Sequence, residues 1–230
     1  MPDAVVVEPL LLGYGLSSPQ GSIGFCGVYL VHAPGRRILF DCGHAGRRRA
    51  LLRALGPRHV DTLVLSHAHW DHVQNADLFT EVLIHPDEDL APRGNPVAPP
   101  WTSAVVDGAR PATDGLELAP GVTVTALPGH TTGSIGLTVT TAAGTALLTG
   151  DAVPSARALR TGRCSSAVDE DAAARSMALV RSRADLVYPG HDRPFTVEGG
   201  QPGRYLLPRV DLSVIEPDPR TGEPGEDFPA

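Results

Sequence analysis

With 230 residues, 42% of them hydrophobic and 20% charged, the chain is long enough for one well-buried domain and has the balance of a globular protein. A formal net charge of −7 speaks against a nucleic-acid backbone as its main partner, and no apolar run approaches the roughly 20 residues that span a bilayer. The N-terminal stretch lacks the basic start and cleavage site of a secretory signal, so the expected setting is the cytoplasm, with no membrane partner.

Residues 5–12, 27–32 and 37–40 read as strands, with Ala33-Pro34-Gly35 as the turn between the last two. A helix is expected over 45–55, with Ala50, Leu51, Leu52 and Leu55 as its apolar stripe and Gly56-Pro57 as its exit. Arg47-Arg48-Arg49 then belongs to a solvated helix face. Residues 62–65 suit a buried strand, 73–79 a helix and 82–85 another strand. From 91 to 112 the chain is proline-rich and without period, an irregular excursion around Trp101 that is a candidate lid. Strand patterns resume at 122–127, 135–140 and 145–148. A helix over 169–183 carries acidic residues at its positive end and Arg181 and Arg183 at its negative end, and 186–188 is a last strand. This order suits one layered α/β domain over 1–215, followed at 216–230 by an acidic, Pro/Gly-rich tail expected to be poorly ordered.

Three of the nine histidines fall within six residues, in Ser66-His67-Ala68-His69-Trp70-Asp71-His72. In an extended segment, positions two apart point the same way, so His67 and His69 can grip one ion. Asp71 and His72, where the chain turns into a helix, can face a neighbouring ion. Imidazole nitrogen and carboxylate oxygen suit zinc and related metals. His130, Asp151 and His191 each lie where an apolar strand gives way to a glycine-containing turn, a usual way to bring ligands from a rigid scaffold to one site. All 19 basic residues are arginine, which excludes a Schiff-base or phosphate-loop lysine. The three cysteines form no CxxC pair and read as free thiols; Ser66 and Cys164 read as structural.

His67-x-His69-x-Asp71-His72 followed by His130, Asp151 and His191 resembles the metallo-β-lactamase superfamily, and Asp41-Cys42-Gly43 looks like that family's Asp-x-Gly turn. The resemblance implies a four-layer αββα sandwich with a dinuclear metal site at one edge of its two sheets. By position, His67, His69 and His130 would bind one metal, Asp71, His72 and His191 the other, and Asp151 would bridge them. Asp41 would orient a ligand histidine through a hydrogen bond; His44 would line the pocket or stand as an exposed loop histidine, and Trp70 would form an apolar wall beside the metals or pack under the turn. The two divalent ions would be zinc first, with iron or manganese as alternatives. They would ionise a bridging water, and the resulting hydroxide would attack a polarised carbonyl while Asp71 shuttles the proton.

Zinc β-lactamases of this family usually carry cysteine where this chain has Asp151, which points away from that reaction. Glyoxalase-type thioesterases add a helical domain after the last histidine, and the 39 residues beyond His191 would not hold one. The expectation is therefore a hydrolase for a small-molecule ester, lactone or thioester, similar to quorum-quenching lactonases, although Val73-Gln74-Asn75 departs from the glycine that usually follows their motif. Its alternatives are a mononuclear iron persulfide dioxygenase or a binding protein without turnover. Oligomeric state stays open, a homodimer among the options.

Overall fold

A computed structural model describes residues 4–19, 21–89, 104–105, 107–164 and 166–212. The first sheet contains β1 (Val6–Leu11), β4 (Val28–Ala33), β5 (Arg36–Phe40), β6 (Thr62–Val64), β7 (Val82–Ile84) and β8 (Arg110–Pro111), in the order β1-β4-β5-β6-β7-β8. The intervening β2 (Tyr14–Ser18) and β3 (Gly21–Phe25) form a separate hairpin. From β5 to β8 the neighbours run parallel, so the carboxyl ends of β5 and β6 open at the same edge. The second sheet runs β15-β14-β13-β12-β11-β10-β9. Its strands are β9 (Glu117–Ala119), β10 (Val122–Ala126), β11 (Ile135–Thr141), β12 (Gly144–Gly150), β13 (Leu186–Pro189), β14 (Phe195–Glu198) and β15 (Gln201–Tyr205). Only β12 and β13 pair in parallel there.

Side-chain alternation explains why four layers form. In β4 and β5, Val31, Ile38 and Phe40 point between the sheets to meet Val122, Ile135, Leu137 and Leu148. Leu30 and Leu39 point the other way, where Leu51 and Leu55 of α1 (Arg48–Leu55) cover them. On the second sheet, Leu147, Val187 and Phe195 face outward against Ala173, Met177 and Val180 of α4 (Glu170–Arg183). Strands apolar on both faces need a cover on each side, and this arrangement supplies it as an αββα sandwich.

Several local expectations change. The helix expected over 73–79 starts earlier, as α2 (Trp70–Val73), and is followed by a separate 3-10 turn at Ala76–Leu78. The break is made by Asn75, whose Nδ2 donates to the carbonyls of Cys42, Gly43 and His44 and pulls the chain inward. The β2–β3 and β14–β15 hairpins and α3 (Ala156–Thr161) were not anticipated. The proline-rich excursion ends sooner than 112, because Arg110–Pro111 pairs with β7. Trp101 with the rest of the candidate lid core, and the tail 216–230, lie outside the described residues. Among the described residues no helix is long and apolar enough to cross a membrane.

Candidate metal centre

All seven predicted ligands meet at the edge where the strands end. His67 and His69 follow β6, Asp71 and His72 sit in α2, His130 follows β10, Asp151 follows β12 and His191 follows β13. Three ligand groups close to within 4.8 Å: His67, His69 and His130; Asp71, His72 and His191; and His67, His72 and Asp151. The Asp151 carboxylate lies between the first two groups. Its Oδ2 is 3.4 Å from His130 Nε2 and 3.2 Å from His191 Nε2, and its Oδ1 is 3.5 Å from His72 Nε2.

The surrounding hydrogen bonds fix which ring nitrogens face inward. Asp41 accepts from Ser66 N at 2.8 Å, from Ser66 Oγ at 2.9 Å and from His72 Nδ1 at 2.8 Å. Since the Ser66 hydroxyl donates to Asp41, it can only accept from His67 Nδ1, 2.9 Å away. Both His67 and His72 therefore carry a proton on Nδ1 and turn Nε2 into the centre. Asp41 holds this post in a left-handed conformation, with φ of 59°, uncommon outside glycine and a form of strain found at functional sites. The first ligand group has its own supports. His130 Nε2 is 2.9 Å from His69 Nδ1, and its Nδ1 is 3.2 Å from Ser166 Oγ.

Charge divides the centre in two. Burial, helped by the neighbouring imidazoles, holds His67 well below the usual histidine range and lowers His69. Burial likewise pushes His130 down to about 4. For His72 and His191 burial acts in the same direction but loses: Cys26, Asp41, Asp71 and Asp151 raise His72 well above its usual value, and Asp151 and Asp71 raise His191. Burial would raise Asp151, yet His191 and His72 hold it well below the carboxylate range.

Whether these residues suit a metal can be judged from atoms left over by the protein. His67 Nε2, His72 Nε2, Asp71 Oδ2 and Asp151 Oδ1 are buried with no hydrogen-bond partner. A buried polar atom left unpaired costs about 1–3 kcal/mol, so a cluster of them around one space calls for a cation there. Nitrogen and carboxylate oxygen together suit a transition metal. The residues fit.

The chain matches the Metallo-beta-lactamase superfamily over residues 22–191. It belongs to that superfamily. A human superfamily member, metallo-beta-lactamase domain-containing protein 1, is 36% identical over 199 residues, which cover 80% of this chain and 69% of the human protein. Among solved structures, an N-acyl homoserine lactone hydrolase with the product N-hexanoyl-L-homoserine at its catalytic metal centre superposes with a TM-score of 0.67 at 18% identity, covering 84% of this chain and 94% of that one. The dizinc quorum-quenching lactonase AidC superposes at 0.59 and 18% identity, covering 74% of each chain. At such identities the superpositions speak for the metallo-β-lactamase fold.

The superfamily centre here includes residues that sequence reasoning passed over. Ser66, structural by its sequence context, shares its hydroxyl among Asp41, His67 and His72. Cys164 places its sulfur 3.8 Å from His130 Nδ1. The β2–β3 hairpin runs against the second ligand group: a Cβ on Gly24 would come within 2.8 Å of Asp71 Oδ2 and 2.7 Å of the His191 ring. From that hairpin a row of half-buried rings continues, Tyr14 to Phe25 at 5.0 Å, Phe25 to His44 at 5.3 Å and His44 to Trp70 at 4.9 Å between centroids. His44 also caps the turn leading to α1, its Nδ1 accepting from Gly46 N at 2.8 Å.

Proposed function

We propose that this superfamily member is a dinuclear metal-dependent hydrolase acting on a small-molecule ester, lactone or thioester. The observation that carries the reading is the Asp151 carboxylate standing between two three-residue ligand groups. His67, His69 and His130 would hold one divalent ion, Asp71, His72 and His191 the second, and Asp151 would touch both, with zinc ahead of iron and manganese. Such ions supply Lewis acidity and a water acidic enough to serve as a nucleophile near neutral pH. The protein's own residues do the rest. Asp41 and Ser66 engage Nδ1 of His72 and His67 and so aim Nε2 of both rings inward. Asp71 would take the proton of the attacking water on the carboxylate oxygen that does not hold the ion and return it to the departing alkoxide or thiolate. A ring row from Tyr14 to Trp70 that starts on the hairpin beside the second ligand group, in a chain of net charge −7, favours a substrate with an apolar portion over a polyanion. The lactone-hydrolase superpositions support the same substrate class.

The test is metal analysis of the purified chain, then hydrolysis assays on lactones, esters, thioesters, β-lactams and phosphodiesters. Two divalent ions per chain and turnover of a carboxylic ester, lactone or thioester are expected. His69→Ala and Asp151→Ala should lose metal and activity while retaining the wild-type circular dichroism spectrum. A single iron with oxygen consumption, or full activity in either variant, would overturn the reading.

A further inference from the structure

A carboxylate outside the seven ligands lies between two of the loops that carry them. Glu88 is 1% exposed, in the 3-10 turn Pro86–Asp89 that follows β7. Its Oε2 accepts from the backbone amide of Ala68 at 2.8 Å, and Ala68 is the residue between His67 and His69. Its Oε1 accepts from the Thr131 hydroxyl and from Gly133 N at 3.0 Å, in the turn that begins with His130. One buried side chain thus receives donors from both halves of the first ligand group, and from no part of the second. The approach is close enough to exclude a side chain at position 133: a Cβ there would lie 2.9 Å from Glu88 Oε1 and 3.0 Å from its Cγ. The turn is tied further by Ser134, whose Oγ accepts from Thr131 N at 3.0 Å and lies 2.6 Å from Thr131 Oγ1.

We propose that Glu88 is the positioning residue of the His67, His69 and His130 group: by holding Ala68 to residues 131–133 it fixes the spacing of the three imidazoles and so sets the metal affinity of that group alone. The inference rests on the metal-centre reading above. Physically, metal binding is tight when its ligands need not be ordered first, and a charged acceptor with three donors is a stiff brace. The three bonds also account for a glutamate here rather than a glutamine, whose amide offers one acceptor oxygen and would set N–H against N–H.

The experiment titrates Co2+ into the full-length wild type, Glu88→Gln and Thr131→Val against a competing chelator, following the ligand-field absorption. The wild type should show two binding steps. His130→Ala and His191→Ala identify them, each removing its own. Glu88→Gln should weaken the step that His130→Ala removes by roughly 10–100-fold and leave the other in place. Thr131→Val, which deletes one donor to Glu88 together with the Ser134 contact and changes the shape little, should weaken the same step by a smaller factor and decides the matter if Glu88→Gln fails to fold. A brace with only a general structural role would lower the melting temperature and weaken both steps alike. That result, or two unaltered steps, or movement of the step belonging to His191, overturns the proposal while the metal centre stands. No Co2+ step in the wild type overturns the metal centre and the clamp with it.

Discussion

The imidazoles at this centre differ in how they meet the proton, and this predicts an order of metal loss. His67, His69 and His130 are depressed by burial, His130 to about 4, so they are already deprotonated at neutral pH. His72 and His191 are raised by the carboxylates around them, so a metal there must displace protons. Affinity of the Asp71, His72 and His191 group is therefore full above the raised values and is lost as pH falls through them, while the first group keeps its lone pairs into more acid solution. Dialysis at stepwise lower pH, with metal content and Co2+ spectra read at each step, should empty the second group first. Simultaneous loss, or loss from the first group ahead, would contradict the electrostatic division. At this scale the ligands were legible because three histidines and an aspartate crowd one turn and the other three sit at strand-end glycines. Ser66 and Glu88 were not, because their importance lies in contacts to residues distant in the chain, which no spacing records.

Elements show where local chemistry suffices and where it does not. The helix α4 was readable from its acidic start, and Asp169 caps it, Oδ1 accepting from Ala172 N at 2.9 Å. Asp169→Ala should cost about 1 kcal/mol in urea unfolding with an unchanged slope. Met177→Ala, by contrast, opens the contact between α4 and the second sheet and should cost about 2–5 kcal/mol. Equal losses in the two variants would mean that capping and packing are misassigned. The segment after the histidine cluster went the other way. A helix is expected over 73–79, but Asn75 gives its amide to three carbonyls of the Asp41–His44 turn, and that tertiary demand ends α2 after Val73. The β2–β3 and β14–β15 hairpins were missed because glycines interrupt the alternation that marks a strand.

For the molecule as a whole, the ligands come from both sheets, so an ion at the centre ties the two halves of the sandwich together. Without it, the buried atoms His67 Nε2, His72 Nε2, Asp71 Oδ2 and Asp151 Oδ1 have no hydrogen-bond partner. A ligand present at a hundred times its dissociation constant contributes about 2.7 kcal/mol to stability. In a chain of this size, that corresponds to a melting temperature lowered by roughly 5–10 °C on chelation and restored by metal. An unchanged transition after verified metal removal would show that the ions do not bridge the halves.

What the amino-acid sequence determined by itself was the superfamily, the layered α/β character and the seven candidate ligands, because each is written in short-range spacing or in one dense motif. The tertiary structure decided which residues orient those ligands, how the proton affinities divide and where the hairpin lies against the second group. Those properties depend on burial and on hydrogen bonds between residues tens of positions apart, such as Asp41 with His72 and Glu88 with Gly133. Distance along the chain carries no information about either, since folding alone brings such groups into contact and removes the water between them.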